Sequence, residues 1–105
     1  MANEDSVKIV FFVLIAGRKK REAFLTALAR AGLRLTNVIY GEGTAEANYL
    51  ESLLGLVAEE NKVVITGLLL KSETDAIFRM LIEQFDFDQP NTGVAFTMPI
   101  ENLSF

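Results

Sequence analysis

The fold is indicated first by residues 7–16, which read VKIVFFVLIA and are followed by Gly17. This run is apolar at nearly every position and rich in β-branched and aromatic residues, which is typical of a strand buried on both faces. Residues 61–70, NKVVITGLLL, have the same character. A small sheet with helices on one face normally exposes alternate residues on the other. Two such strands therefore predict that the second face is covered as well.

Helical and strand patterns alternate around these two runs. Residues 19–31 place apolar side chains at helical spacing and end at Gly32, a C-terminal stop signal, and residues 33–40 form a weaker strand with alternating character. Behind Thr44, an expected N-cap, a short helix is predicted over 45–56. The last third predicts a helix capped by Ser72, with Asp75 in the capping-box position, and a final strand over 94–99.

The resulting order is β-α-β, an inserted helix, then β-α-β. Two split β-α-β halves in this order predict an α+β, ferredoxin-like sandwich with both main helices on one face of the sheet. We expect one domain over residues 1–105, with a flexible N-terminus at 1–6. The surplus apolar residues of the first and third strands then lie on the helix-free face, which we expect to be buried between subunits.

The amino-acid composition excludes several classes of function. The 105 residues are 50% hydrophobic and include neither Cys nor His. This excludes disulfides, thiolate metal sites and cysteine nucleophiles, and it removes the commonest general base and metal ligand. Catalysis by carboxylate or lysine, binding of hard cations and binding without chemistry remain possible. We favour the last, and therefore expect neither catalytic residues nor a metal site.

Charge and hydropathy bear on location and partners. The longest apolar run, residues 9–16, is far shorter than the roughly 20 residues of a membrane-spanning helix, and the acidic start MANEDS is unlike a signal peptide. We therefore expect a cytoplasmic protein without direct membrane insertion. The net charge of −4 makes nonspecific nucleic-acid binding a poor expectation. Residues 1–34 nevertheless hold seven basic and three acidic side chains, so this part suits a small anion.

Four consecutive basic residues, Arg18-Lys19-Lys20-Arg21, begin the first predicted helix. Cations are normally disfavoured there because the unpaired N–H groups of a helix N-terminus are already partially positive. One interpretation is that Arg18 and Lys19, together with helix N–H groups, bind an anion such as phosphate. The alternative is a solvated basic helix end, which is the more common role of a charge run.

Two loops are further candidates. In the first, Gly41 and Gly43 flank a single residue and are followed by Thr44. Two glycines so placed allow the backbone to approach a ligand closely, although the same pattern also occurs in ordinary turns. Asn91, Thr92 and Gly93 precede the final strand and have the same two interpretations. The short helix carries apolar residues on one face, for which packing or docking of a partner are the alternatives: Tyr49, Leu50, Leu53 and Leu54.

In the order of its elements and in several of its motifs, the chain resembles the PII-like branch of the nitrogen-regulatory PII signalling proteins over about residues 8–100. The most specific stretch is the last, which is similar to the family's loop and final strand almost position for position. The features that carry the resemblance are the strand 8–16 with its basic helix, Ala31-Gly32, residues 40–44 (YGEGT) and residues 85–100 (FDFDQPNTGVAFTMPI).

The resemblance implies a non-catalytic, homotrimeric regulator. Its effector, an adenine nucleotide most readily, would bind between subunits in a cleft formed by Gly41, Gly43 and Thr44 of one loop and Asn91, Thr92 and Gly93 of the other. Residues 41–60 would report the ligand state to a partner, a transporter or a metabolic enzyme. The partner surface would include Tyr49, Leu50, Leu53 and Leu54.

The chain departs from the family at several positions. Glu42 stands where PII-like relatives commonly have Arg, and Val94 stands where PII proteins have a phosphate-contacting Lys. These departures favour an alternative, a structural or assembly trimer without ligand that docks a partner through residues 50–57. A third alternative is a small enzyme that uses Glu or Lys, but the sequence shows no base–nucleophile arrangement to support it. An amino-acid-binding regulatory domain with the same element order rests on fold analogy alone.

Overall fold

A computed structural model of the chain describes residues 8–41, 62–90 and 92–101. The order of elements in this part of the chain follows the sequence prediction. The elements are β1 (Ile9–Gly17), α1 (Arg21–Arg30), β2 (Arg34–Gly41), β3 (Lys62–Leu70), α2 (Thr74–Phe85) and β4 (Gly93–Pro99), with short 3₁₀ turns at Arg18–Lys20 and Lys71–Glu73. The helix predicted over 45–56 lies outside the described residues.

The four strands form one antiparallel sheet in the order β2-β3-β1-β4. Strand β3 lies between β1 and β2, and β1 lies between β3 and β4, so each β-α-β half is split by a strand of the other. Val13 marks the centre, where it pairs with Thr66 of β3 and Phe96 of β4. The four antiparallel strands and two helices match the predicted ferredoxin-like sandwich.

The hydrophobic core lies between one face of the sheet and both helices. The rings of Phe24 and Phe85 have centroids 4.5 Å apart and join the two helices, and Phe12 of β1 lies 6.2 Å from Phe78 of α2. The contact between Phe24, near the start of α1, and Phe85, at the end of α2, shows that the helices run antiparallel. The buried core residues are Val10, Phe12, Leu14, Ala16, Phe24, Leu28, Leu33, Val63, Ile65, Leu69, Ile77, Leu81 and Phe85.

The opposite face of the sheet is also apolar, as predicted. Because side chains alternate along a strand, the residues in register with Val13 share its face. The apolar members of this open face are Ile9, Phe11, Val13, Ile15, Ile39, Val64, Leu68, Leu70, Val94, Phe96 and Met98. Within one chain, Ile39 is 56% exposed, Met98 45% and Phe96 37%. Burial of this face between subunits stays a prediction.

Strand β2 departs from the regular alternation predicted for it. Its register against β3 shifts between Arg34 and Asn37, and Leu35 adopts a φ of 53° with 73% of its side chain exposed. Leu33 is buried instead and lies against Gly67, where a Cβ atom would come within 2.8 Å of the Leu33 side chain. The close approach of Leu33 to a glycine fixes the irregular start of the strand.

The start of α2 also differs from the prediction. Ser72 does not cap the helix, because it lies inside the 3₁₀ turn that precedes Thr74. Glu73 stabilises this turn, since its Oε1 accepts a hydrogen bond of 3.0 Å from the Leu70 N–H, and the Thr74 hydroxyl donates to the Lys71 carbonyl at 2.8 Å. Asp75 lies in the first turn of α2 and has no capping partner in the described chain. The extra turn moved the helix start two residues beyond the predicted cap.

Candidate functional site

One end of the sheet gathers several of the predicted ligand residues. Strands β1 and β2 end there, and β3 and β4 begin there. Gly41 pairs with Lys62, which pairs with Gly17, and Gly93 pairs with Ala16 on the other side of β1. The same end carries the 3₁₀ turn Arg18–Lys20, because that turn follows β1 directly. The antiparallel topology therefore brings the basic run and the loop before β4 to one place.

A pocket of about 280 Å³ opens at this end. It joins Lys19 and Thr92, two of the predicted ligand residues, and adds Lys20 and Asp86. Its floor consists of the aromatic side chains of Phe24 and Phe85, both largely buried in the core. The complete lining is Gly17, Lys19, Lys20, Phe24, Phe85, Asp86 and Thr92. Two ammonium groups against one carboxylate leave a net positive charge, which together with a hydroxyl and an apolar floor suits a small anion attached to an apolar or aromatic group.

Arg18 is not among the residues that line this pocket. The central carbon of its guanidinium lies 4.7 Å from the centroid of the Tyr40 ring, and that of Arg21 lies 5.7 Å from the same ring, so both cations contact the aromatic face. Arg18 Nε is buried without a hydrogen-bond partner in the described part of the chain. The basic run is therefore divided into lysines at the pocket and arginines on Tyr40.

Arg21 is held by two further contacts. Its guanidinium donates hydrogen bonds to the Tyr40 hydroxyl and to the carboxylate of Glu22. The hydrogen bond to Tyr40, followed by the hydrogen bond and charge of Glu22, raises the pKa of Arg21 above its ordinary value. Arg21 is therefore a permanent cation whose role in the folded chain is to hold Tyr40 at the end of β2. The sequence predicted a continuous helix start here, but three of the four basic residues lie in the 3₁₀ turn before α1.

Gly41 and Thr92 lie at opposite edges of the sheet. Strands β3 and β1 separate β2 from β4, which places Gly41 about 14 Å from Gly93 at the usual strand spacing of about 4.8 Å. The two loops predicted to form one cleft therefore do not meet within a single chain. The remaining predicted ligand residues, Gly43, Thr44 and Asn91, lie outside the described residues, as does the predicted partner surface of Tyr49, Leu50, Leu53 and Leu54.

Gly93 has a packing role independent of any ligand. A Cβ atom at this position would lie 2.8 Å from Cζ of Phe87 and 3.0 Å from the carbonyl oxygen of Ile15. Both distances are shorter than ordinary van der Waals contact, so a glycine is required for β4 to lie beside β1 at this level. This packing is a reason for glycine besides the two interpretations of Gly93 made from the sequence, and its role in ligand binding stays a prediction.

Two residues of this region were not predicted from the sequence. Tyr40 was counted as a strand residue, and only the fold brings it beneath Arg18 and Arg21. Asp86 is not among the candidate site residues predicted from the sequence, yet it lines the pocket from the end of α2. Its left-handed conformation, with φ 59° and ψ 36°, is one that Asp adopts more readily than most residues. An Asp directly after a helix is a sequence signal for this left-handed position, but not for its place in the pocket.

The described residues of the region carry charged and hydrogen-bonding groups but no cluster of metal ligands. Across residues 8–41, 62–90 and 92–101, no three acidic side chains come together to hold a metal ion. Likewise, neither helix of this described part is long and apolar enough to cross a bilayer. The pocket presents charge and hydrogen-bond donors to a small molecule, and lysines supply the cations among its described residues.

Comparisons with known proteins identify the fold. No protein-family model matches the sequence, and no curated protein matches it. Solved structures do match. The structure of CPII from Thiomonas intermedia K12, bound to ADP, AMP and acetate, is similar with a TM-score of 0.66 and 13% identity, over 88% of this chain and 85% of that chain.

Two other structures have the same likeness. A putative PII-like signalling protein from Thermus thermophilus is similar with a TM-score of 0.63 and 14% identity, over 90% of this chain and 87% of that chain. The B. subtilis GlnK–ATP complex is similar with a TM-score of 0.59 and 13% identity, over 94% and 85%. At these identities the likeness establishes the fold. The chain therefore has the fold of PII-like signalling proteins, as the sequence resemblance predicts.

Proposed function

We propose that this chain is a non-catalytic regulatory sensor of the PII-like type. It forms a homotrimer, binds a small anionic effector in clefts between subunits, and signals to a partner protein through residues 41–60. An adenine nucleotide is the first candidate for the effector. The observation that carries the proposal is the pocket where Lys19, Lys20 and Thr92 meet above the Phe24–Phe85 floor.

The lysines of this pocket are available to a ligand. The ion pairs found between described residues include Arg21–Glu22 and Arg34–Glu73, and neither involves Lys19 or Lys20. Both lysines extend from a short turn whose backbone is fixed between β1 and α1, so they reach the pocket without a large rearrangement. Ammonium groups of this kind are common phosphate ligands because they act as compact, strongly hydrated point charges.

Structures of the same fold support an adenine nucleotide as the effector. CPII from Thiomonas intermedia K12 has been solved with ADP, AMP and acetate, and GlnK from B. subtilis with ATP. The pocket volume of about 280 Å³ lies just below the roughly 300–1,000 Å³ of typical small-molecule sites. In this proposal the pocket holds only part of the nucleotide, and a neighbouring subunit supplies the remainder of the cleft.

Two features of the described chain support a trimer. The open face of the sheet carries apolar residues on all four strands, with Ile39, Phe96 and Met98 left exposed in a single copy, and a face of this kind is stabilised by burial against other copies. The wide separation of Gly41 from Gly93 also means that a cleft containing both requires Gly41 of one copy and Gly93 of the next. A trimer satisfies both requirements with one arrangement.

The signalling step assigns a role to residues 41–60. Gly41 ends β2 at the same end of the sheet as the pocket, so the chain beyond it starts beside the proposed cleft. A ligand that binds two arrangements of this segment with different affinities shifts the balance between them, which changes the surface offered to a partner. The partner, a transporter or a metabolic enzyme, would contact the predicted surface at Tyr49, Leu50, Leu53 and Leu54.

Isothermal titration calorimetry with AMP, ADP and ATP tests the proposal, followed by cyclic dinucleotides and bicarbonate. We expect at least one adenine nucleotide to bind, and the Lys19→Ala/Lys20→Ala double variant to weaken binding by roughly tenfold or more, as expected for loss of charge-assisted contacts. Arg79→Ala removes an exposed cation of α2 outside the pocket and serves as the control, with unchanged affinity. Absence of binding by all of these ligands at millimolar concentration would contradict the proposal.

A second candidate is a structural or assembly trimer that has no effector and docks its partner permanently through residues 50–57. Val94 favours it, because this half-buried residue of β4 offers no charge to a phosphate. Leu53→Glu would then abolish partner binding, while Gly43→Ala and neutralisation of residues 18–21 would leave it unchanged. In the sensor proposal, the same neutralisation removes the response of partner binding to the nucleotide.

A further inference from the structure

Asp86 is the one carboxylate among the described residues that line the pocket. It lines the same pocket as Lys19 and Lys20, at the end of α2, and it is exposed. No ion pair found within the described residues involves it. Two lysines opposed by one aspartate leave a single uncompensated positive charge, so the lining as a whole is much less basic than the run at residues 18–21 suggests.

The position of Asp86 is fixed by the backbone. Its N–H donates to the Ile82 carbonyl at 3.2 Å, the Phe87 N–H donates to the Leu81 carbonyl at 3.2 Å, and the Gln89 N–H donates to the Asp86 carbonyl at 2.9 Å. These three bonds hold Asp86 in its left-handed conformation at the C-terminus of α2. The backbone that carries the carboxylate is therefore fixed where α2 ends at the pocket.

The end of α2 adds negative potential to the same wall. The unpaired carbonyls of a helix C-terminus carry a partial negative charge equivalent to about half an elementary charge. Helix C-termini are normally compensated by basic residues in the last turn, and α2 has none there. Phe85 and Asp86, the last helical residue and its cap, both line the pocket, so the partial charge and the carboxylate act on the same bound ligand.

We infer that Asp86 limits the negative charge of the ligand, so that the pocket prefers a monophosphate over a triphosphate. This inference rests on the proposed function, because it names the class of anion that the Lys19–Lys20 pocket takes. Each further phosphate adds negative charge. The first phosphate is compensated by the lysines, whereas the additional phosphates of a triphosphate meet the carboxylate and the helix C-terminus. Asp86 is thus a specificity-determining residue.

The test compares the affinities for AMP, ADP and ATP of the wild-type protein, Asp86→Asn and Asp88→Asn by calorimetry. Asparagine retains the shape of the side chain and tolerates the left-handed conformation, so Asp86→Asn removes only the charge. Asp88 is an exposed carboxylate two residues away that does not line the pocket, and its replacement changes the net charge equally. Asp86→Gly, which also reaches this conformation, replaces Asp86→Asn if that variant does not fold.

We expect Asp86→Asn to improve ATP binding relative to AMP binding by about threefold to tenfold at low ionic strength, and by less at 0.5 M salt because salt screens exposed charges. Asp88→Asn should leave the ratio of the two affinities within twofold of wild type. An unchanged ratio in Asp86→Asn, or an equal change in both variants, would overturn the inference while nucleotide binding stands. Absence of binding by every nucleotide to every variant would overturn the proposed function together with the inference.

Discussion

Gly32 illustrates how a single residue joins two parts of the fold. It follows α1 with a φ of 109°, a value that side chains other than glycine rarely adopt, and a Cβ atom there would collide with the Glu73 carboxylate. The same carboxylate accepts hydrogen bonds from the Leu70 N–H and from Arg34 at 3.2 Å. One glutamate therefore links the end of α1, the start of β2 and the turn before α2.

Gly32→Ala should lower the free energy of unfolding by about 1–3 kcal/mol, because alanine is strained at this φ and also displaces the Glu73 side chain. Urea denaturation measures the change. The same substitution in a Glu73→Ala background separates the two causes: the collision is absent there, so the additional cost of Gly32→Ala should be smaller. A Gly32→Ala protein as stable as wild type would show that this turn is not constrained as described.

At the residue level, the sequence predicts Arg18, Lys19 and Thr92 as ligand residues, and the structure brings Lys19 and Thr92 to one pocket but places Arg18 on Tyr40. The reason lies in the tertiary structure. Consecutive residues of a 3₁₀ turn point in different directions, so Arg18 reaches the Tyr40 ring while Lys19 reaches the pocket. Tyr40 comes from another strand, and no local pattern in the sequence could indicate that it would attract two arginines. Asp86 was likewise recognisable as a pocket residue only after α2 had been placed against α1.

At the level of elements, β1 and β3 could be predicted because each is a continuous apolar run, and α2 because its apolar residues recur at helical spacing. The predicted starts of two elements were wrong, in each case where the local backbone departs from the regular pattern of the sequence. Because Glu73 closes a 3₁₀ turn, α2 begins after Ser72 and not at it. Because the register of β2 shifts after Arg34, Leu35 does not follow the alternation of buried and exposed residues. The helix predicted over 45–56 stays a prediction.

The open face of the sheet gives a prediction about an element. Phe96→Glu places a charge on this face, on the edge strand β4 and in register with Val13 of β1. Because Phe96 is already 37% exposed in one chain, the isolated subunit should remain folded, with a far-ultraviolet circular dichroism spectrum like that of wild type. The trimer should be lost, since burying an unpaired carboxylate between subunits costs several kcal/mol.

Ile82→Glu is the matched control for this variant. Ile82 is 45% exposed on α2, away from the open face, so a glutamate there should leave the subunit count unchanged. Light scattering after size-exclusion chromatography reports the mass of both variants. If Phe96→Glu has the same mass as wild type, the open face is not the surface where the copies meet. If Ile82→Glu dissociates as well, the outer side of α2 takes part in assembly.

At the level of the whole molecule, the high hydrophobic content of the chain bears on its assembly. The chain is 50% hydrophobic, and its apolar residues fill both faces of one sheet, whereas two helices cover only one of them. The predicted ligand loops at Gly41 and Gly93 lie on opposite edges of this sheet, so the proposed cleft with both loops requires a second copy of the chain. The sequence could indicate the fold and an apolar second face, but no local motif indicates how copies of the chain would meet.

Native mass spectrometry of the purified protein with added AMP tests the central claim most directly, because it counts subunits and bound ligands in the same spectrum. The account predicts a main species at three times the 11.6 kDa chain mass, carrying up to three AMP molecules, one for each cleft between subunits. A predominantly monomeric protein, or a trimer that carries no nucleotide at millimolar AMP, would contradict it.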